Sequence, residues 1–461
     1  MQYTDLLNSL LELDNKDNEF LREALSLLFD YDSSFLKSEQ LLKCKILNLI
    51  AQIDKQLSQQ VDAIIHHTDF RSLHRNWLSL SAIAHLPINY QRVKLKLLNA
   101  SWEEVSSDLN QAYSIKSSKL YNKIGNKELN QAGGQPFGCI GFTQPISLDM
   151  DFDSDYDDLF TLELIGKLGE STLCPMVLTP SPSFFVESGA DWLSDTTRIE
   201  KILQGPDYES LQNLRKQTSS KFIALTLPFI LVRKQYKNYA AGFVYNEEGD
   251  GLWGSSIFPF LATIMREYQR VNWFGFLKSR WSEKYQGAVI NVPNLHSDNF
   301  LTSPITNINL SGQLSTFYSQ QGFIPLTLSP LTNKYYFNGN NSAWLAGTND
   351  NDKVLTQIQT TLMSCRIAHY LKVKVRDLLG SSYTARECEV MLTEWIERYA
   401  SNVTNADEET LAKYPLRHAK IVITESEHSP GTYACTLRIV PQYQFDHFNG
   451  EVVLSTEIEE A

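Results

Sequence analysis

The sequence predicts a mixed α/β (α+β) fold: a helical N-terminal segment, a central mixed α/β domain, and a C-terminal helix pair followed by a β-hairpin. Three observations carry that prediction. No proline stands before Pro87 and no glycine before Gly125, so the opening stretch lacks the two strongest helix breakers. From Gly125 to about Asn351 short β-like runs alternate with helical periodicities between glycine, proline and asparagine. Residues 361–399 then encode two amphipathic helices, and alternating apolar runs follow them.

Taken in order, Leu6, Leu7, Leu10 and Leu13 make a short amphipathic stripe. Leu49, Ile50, Ile53, Leu57, Val61, Ile64 and Ile65 make a longer one ahead of Phe70, Leu73 and Trp77. The acidic, polar stretch from Asp30 to Glu39 reads as a joint between them. After Pro87, the alternation in RVKLKLLN (Arg92 to Asn99) predicts a strand, and a helix is expected from Ser101 to Ala112. GCIGF, KFIALTLP, AVINVP and GFIPLTL read as strands, whereas LFTLELIGKLGES and IFPFLATIMREYQRV read as helices.

Near the C-terminus, Ile358, Leu362, Cys365, Ala368, Leu371, Val375 and Leu378 recur every three or four residues and define one buried helical face. Gly380 is placed to close that helix. Thr384 and Glu387 form a capping box for the next, whose apolar face is Cys388, Met391, Leu392, Trp395, Ile396 and Tyr399. A hairpin is expected from Ala419 to Thr424 and from Tyr433 to Val440, turning at Ser429-Pro430-Gly431. The resulting division is a helical segment over 1–85, a central domain over 86–351, C-terminal helices and hairpin over 352–445, and a tail over 446–461.

Composition restricts function. Hydrophobic residues make up 43% of the chain, enough for a real core. The formal net charge is −12, so bulk nucleic-acid binding is not expected, since phosphate attraction needs a basic surface. The N-terminus lacks the basic region and cleavage site of a signal peptide. The apolar run Phe222 to Val232 is too short to span a bilayer and contains Pro228, so no membrane insertion is expected. Six scattered cysteines without a C-x-x-C pair read as reduced, buried thiols of a cytoplasmic protein.

No catalytic apparatus emerges, and no cofactor or metal is expected. The aspartates from Asp149 to Asp158 lack the glycine and the closing glutamate of a calcium loop, and read as an acidic approach to a helix N-terminus. GGQPFGCIG lacks the Lys-Ser/Thr of a phosphate loop and reads as a tight turn into a strand. No H-E-x-x-H or G-x-S-x-G is present. One charged feature stands out: Arg366, His369, Lys372 and Arg376 form a basic stripe on the first C-terminal helix.

The runs SCRIAHYLKVKVRDLLGS, E-x-x-x-x-L-x-x-W-I-x-x-Y (Glu387 to Tyr399) and YPLRHAKIVITESEHSPGTY resemble the C-terminal region of the large subunit of the bacterial type VI secretion contractile sheath. WEEVSSDL, GGQPFGCIGF, SSKFIALTLPFILVRKQY, GLWGSSIFPFLATI and QGFIPL follow in that family's order and extend the resemblance over most of the chain. The chain departs from the family at AIAHLPINY and matches only loosely from Trp273 to Pro293 and from Thr302 to Tyr318. The resemblance implies a cytoplasmic, non-enzymatic bacterial protein that pairs with a small sheath subunit. With identical large subunits it would stack as six-fold rings on a baseplate, around an inner tube protein that contraction propels. It also implies strands exchanged between subunits, here the hairpin positions Ile421, Ile423, Tyr433, Leu437 and Ile439. A tube or subunit interface would fall at Arg366, His369, Lys372 and Arg376, and recognition by a Clp-family ATPase at Leu6, Leu7, Leu10 and Leu13. The alternative is a phage-tail-like sheath protein that assembles without a small partner.

Overall fold

The structure is a computed structural model that describes residues 39–148, 156–185, 194–237, 239–240, 242–274, 305–329, 334–347, 349–378, 384–401, 413–425, 432–442 and 451–459, with residues 20, 23, 24, 27, 277 and 289. Leu6, Leu7, Leu10 and Leu13, most of Asp30 to Glu39, Gly380 and nearly all of AVINVP lie outside the described residues. The chain divides into two compact units, one of Met1–His74 with Lys234–Leu252, the other of Arg75–Arg233 with Trp253–Ala461.

In the first unit, α1 (Glu39–Ile65) and the start of α2 (Thr68–Ala84) form where breaker-free sequence predicts helix. A short antiparallel pairing of Tyr239–Ala240 with Val244–Tyr245 packs against α1. Tyr245 Oη donates to Asp62 Oδ1 at 2.5 Å, and His66 Nε2 lies 3.3 Å from the buried Glu247 carboxylate.

The second unit is built on a five-stranded sheet. Ahead of it stands α3 (Trp102–Gln111), whose N-cap Ser101 forms a capping box with Glu104. The chain then runs through β1 (Ile140–Ile146), α4 (Asp158–Thr172), β2 (Met176–Pro180), α5 (Thr196–Leu203), α6 (Glu209–Lys216), β3 (Ile223–Leu227), α7 (Ile257–Val271), α8 (Gly312–Gln320), β4 (Phe323–Ser329) and β5 (Lys334–Phe337). The sheet order is β1-β2-β3-β4-β5; the first four strands are parallel and β5 is antiparallel.

Alternate residues of its central strands serve two separate cores. Met176, Leu178, Ile223, Leu225 and Phe323 pack with α4, α5, α6 and α8, whereas Val177, Ala224, Ile324 and Leu326 pack with α7 and the C-terminal helices. Burial on both faces is what a parallel sheet requires. Close approach of α4 depends on glycine: a Cβ at Gly169 would stand 2.9 Å from Cys174 O and from Phe222 Cβ. Asp157 caps α4 by accepting from Leu159 N–H at 2.9 Å. Its neighbour Asp158 takes Trp102 Nε1–H and Ser147 N–H, so these two aspartates do serve a helix N-terminus.

Beyond α9 (Asp350–Leu355) come α10 (Ile358–Leu378) and α11 (Ala385–Glu397), then β6 (Leu416–Glu425), β7 (Thr432–Pro441) and β8 (Val452–Glu459). The capping box of α11 forms as expected, with Thr384 N–H donating to Glu387 Oε2 at 2.8 Å. In the antiparallel hairpin Ile421 faces Leu437 and Ile423 faces Cys435.

The expected hairpin forms, and β8 adds a third strand to it, pairing along β7 with Leu454 opposite Leu437. Its short apolar pattern, Val452 and Leu454, gains meaning only beside β7. Residues 94–100, within the expected strand of Arg92 to Asn99, are extended but join no sheet among the described residues, since no partner strand lies alongside.

Candidate assembly surfaces

Helix α10 enters the core with every side of its first two turns covered: Ile358 to Cys365 are all buried. The basic stripe therefore begins inside the unit rather than on an open face. Arg366 lies between two tyrosines, its Nε donating to Tyr370 Oη at 3.0 Å and its guanidinium 4.6 Å from the Tyr370 ring centre and 5.9 Å from that of Tyr268. His369 is 2% exposed, with Nε2 3.4 Å from Thr172 O. Burial first, then the nearby charges of Arg366 and Lys372, press its pKa down to about 4, so the imidazole is neutral at physiological pH.

Further along, Lys372 Nζ donates to Asn130 Oδ1 at 2.6 Å and Arg376 Nη2 to Leu129 O at 3.1 Å. These two remain half-buried, and Val373 and Lys374 between them are exposed. Burial, then the cations Arg376 and Lys116, hold the Lys372 ammonium below its usual range. Lys116, Lys372 and Arg376 thus concentrate positive charge at one place. The stripe accordingly separates: His369 is buried and Arg366 half-buried between its tyrosines, while Lys372 and Arg376 reach the surface.

The C-terminal sheet offers backbone instead of charge. Ile421, Leu437 and Ile439 are buried in the main core beside α11, so their side chains hold the subunit together. The sheet's edges differ. On β6, Ile423 N–H points away from β7 and donates to the Glu389 carboxylate of α11 at 3.0 Å, which blunts that edge. With Ile423 and Cys435 facing each other, the alternation of an antiparallel ladder turns Thr456 toward β7 and Val453, Ser455 and Glu457 outward. Strand β8 is thus an edge with outward N–H and C=O groups, and Val453 beside them is exposed.

A third surface lies on α1, where Ile50, Ile53, Leu57 and Ile64 recur at helical spacing yet are exposed. Periodicity predicts this stripe but not its lack of cover; the burial that normally accompanies such a pattern is missing within the described residues. Among those residues no three His, Cys, Asp or Glu side chains are arranged to hold a metal ion, and no helix is long and apolar enough to cross a membrane. Cys174, Cys365 and Cys435 are buried, against expectation Cys44 is exposed, and none of the six is in a disulfide.

The profile of the EvpB/VC_A0108 tail sheath N-terminal domain matches residues 47–344, and that of the EvpB/VC_A0108 tail sheath gpW/gp25-like domain matches residues 347–458. The type VI secretion system sheath protein TssC1 of Pseudomonas aeruginosa is 27% identical over 420 residues, covering 87% of this chain and 83% of that protein. A crystal structure of the sheath tail protein from Desulfitobacterium hafniense aligns with a TM-score of 0.32 at 8% identity. That alignment covers 66% of this chain and 62% of the solved chain, a little under two thirds of its length.

Proposed function

The chain belongs to the EvpB/VC_A0108 tail sheath family as a large sheath subunit of the type VI secretion class, and from that premise we propose that it pairs with a small sheath subunit and stacks as six-fold rings around an inner tube. Contraction of the stack propels the tube from the baseplate, in the bacterial cytoplasm and without catalysis by this chain. The division into a helical segment (1–85), a central sheath domain (86–351) and a C-terminal joining region (352–445, with β8 following) belongs to the same reading. The two family matches, which meet between residues 344 and 347, support its boundary near residue 351.

The observation that carries the assembly reading is the outer edge of β8, which pairs with no other strand among the described residues. An antiparallel edge with free N–H and C=O groups accepts a strand from another chain through main-chain hydrogen bonds, a linkage that tolerates rotation of the bodies it joins. The strand positions at issue are the outward backbone groups of Val453, Ser455 and Glu457, supported from within by Ile421, Leu437 and Ile439. Tube contact is assigned to Lys372 and Arg376 with Lys116, whose shared positive charge suits an acidic surface. The apolar stripe of α1 suits a helix of the small subunit, and Leu6, Leu7, Leu10 and Leu13 suit recycling by a Clp-family ATPase.

The test is Ser455→Pro. Proline removes an outward N–H and is tolerated at a sheet edge, so β7 keeps its ladder. Folded heterodimers that form no sheaths by electron microscopy are the expected result. Sheaths of ordinary length and stability in this variant would show that subunits are joined elsewhere.

A further inference from the structure

We infer that residues 94–100 are a docking strand that pairs, backbone to backbone, with an extended segment of the small sheath subunit. The inference rests on the pairing proposed above and names a site for it. From Lys94 to Ala100 the chain lies in no helix, turn or ladder, all seven residues are exposed, and among the described residues no backbone–backbone hydrogen bond engages them. An unpaired stretch of that kind is ordinarily a loop of small polar residues. This one alternates like a strand.

Its conformation is fixed from one side. Lys94 Nζ donates to Gln135 Oε1 at 2.8 Å, and Lys96 Nζ reaches Glu128 Oε1 at 2.5 Å with its ammonium 5.2 Å from the Phe137 ring centre. The Glu128 carboxyl is held below the usual range, chiefly by that bond to Lys96, so the pair is ionic at neutral pH. The Lys94 and Lys96 side chains thus tie the segment to the body. Leu95 and Leu97, on the opposite side of the pleat, are 36% and 65% exposed, and Leu98 beside them is exposed as well. A pinned backbone whose hydrogen-bonding groups meet no described backbone partner, with apolar residues two apart, has the features of strand addition, where main-chain bonds supply affinity and alternate side chains supply register.

The occupant follows from charge and size. Between Arg92 and Asn99 the chain carries three basic residues and no acidic one. Self-pairing of two copies here would bring basic residues against one another, and a two-fold contact closes on itself instead of propagating. A strand with acidic side chains between apolar ones is complementary. Seven residues of pairing fall short of the roughly 1,200 Å² that a stable interface buries. The contact is therefore one part of the larger interface made by a permanently paired subunit.

Hydrogen–deuterium exchange on the co-purified heterodimer tests this directly. Amides of residues 94–100 should exchange about 100-fold or more slowly than in an unstructured peptide. A heterodimer in which they exchange at the peptide rate overturns the inference and leaves the pairing reading intact. Failure to form any heterodimer removes both. Protection that develops in this chain alone on self-association would make a second copy the occupant and overturn the inference too. Leu95→Asp with Leu97→Asp, which spares both lysine tethers, should lower recovery of the small subunit about tenfold or more; undiminished recovery counts against the docking strand.

Discussion

His369 couples the fold of this subunit to acid. In the folded chain its pKa is pressed to about 4, whereas a free histidine titrates near 6.5. Between those values the unfolded chain binds a proton that the folded one refuses, so stability is fully present above about 6.5 and declines as pH falls. The slope is at most about 1.4 kcal/mol per pH unit for one such group. Replacing His369 with Gln, which keeps a donor toward Thr172 O but cannot titrate, should flatten this decline. Thermal unfolding of both proteins at about pH 7.5 and about pH 5 measures it; parallel loss of stability would mean that His369 is not the group responsible. Arg366, one turn earlier, shows why charge alone misleads at this scale. Its period matches a solvated face, yet the partners that enclose it, Tyr268 and Tyr370, include one about a hundred positions away in the sequence.

At the scale of elements, what was legible was local. The Ser101/Glu104 and Thr384/Glu387 pairs join residues three apart on one helix turn; the spacing predicts the second, and both form. Removing the cap in Thr384→Ala should destabilise α11 by about 1 kcal/mol. Because Glu389 on that helix also holds Ile423 N–H, fraying of α11 should expose the β6 edge. Faster amide exchange at Ile423 in the Thr384 variant checks the link, and unchanged exchange there would uncouple the cap from the edge. Strand β8 and residues 94–100 part company for one reason. Alternation says that a segment can be a strand, but a partner must decide whether it is one, and β7 pairs with β8 while no described strand meets 94–100.

At the scale of the whole molecule, several surfaces share one physical condition: among the described residues, each lacks the cover its chemistry calls for. The exposed apolar stripe of α1 runs through Ile50, Ile53, Leu57 and Ile64, Leu95 and Leu97 stand outside any sheet, and β8 ends its sheet with an open edge. A monomer that left all of these in water would carry both an apolar patch and a template for edge pairing, the combination that leads to aggregation. In a ring assembly the same features become contacts that propagate, since different faces meet and the array stays open. The chain expressed alone is therefore expected to be poorly soluble, and co-expression with the small sheath subunit should return it to solution. Replacing Ile50, Ile53 and Ile64 with polar residues should relieve the aggregation of the lone chain while weakening recovery of the small subunit, because one surface serves both outcomes. Light scattering of the lone chain and affinity recovery from co-expression read the two effects. A wild-type chain that stays monodisperse alone over a wide concentration range, or polar variants that gain solubility and keep full pairing, would show that this face is not where the partner sits.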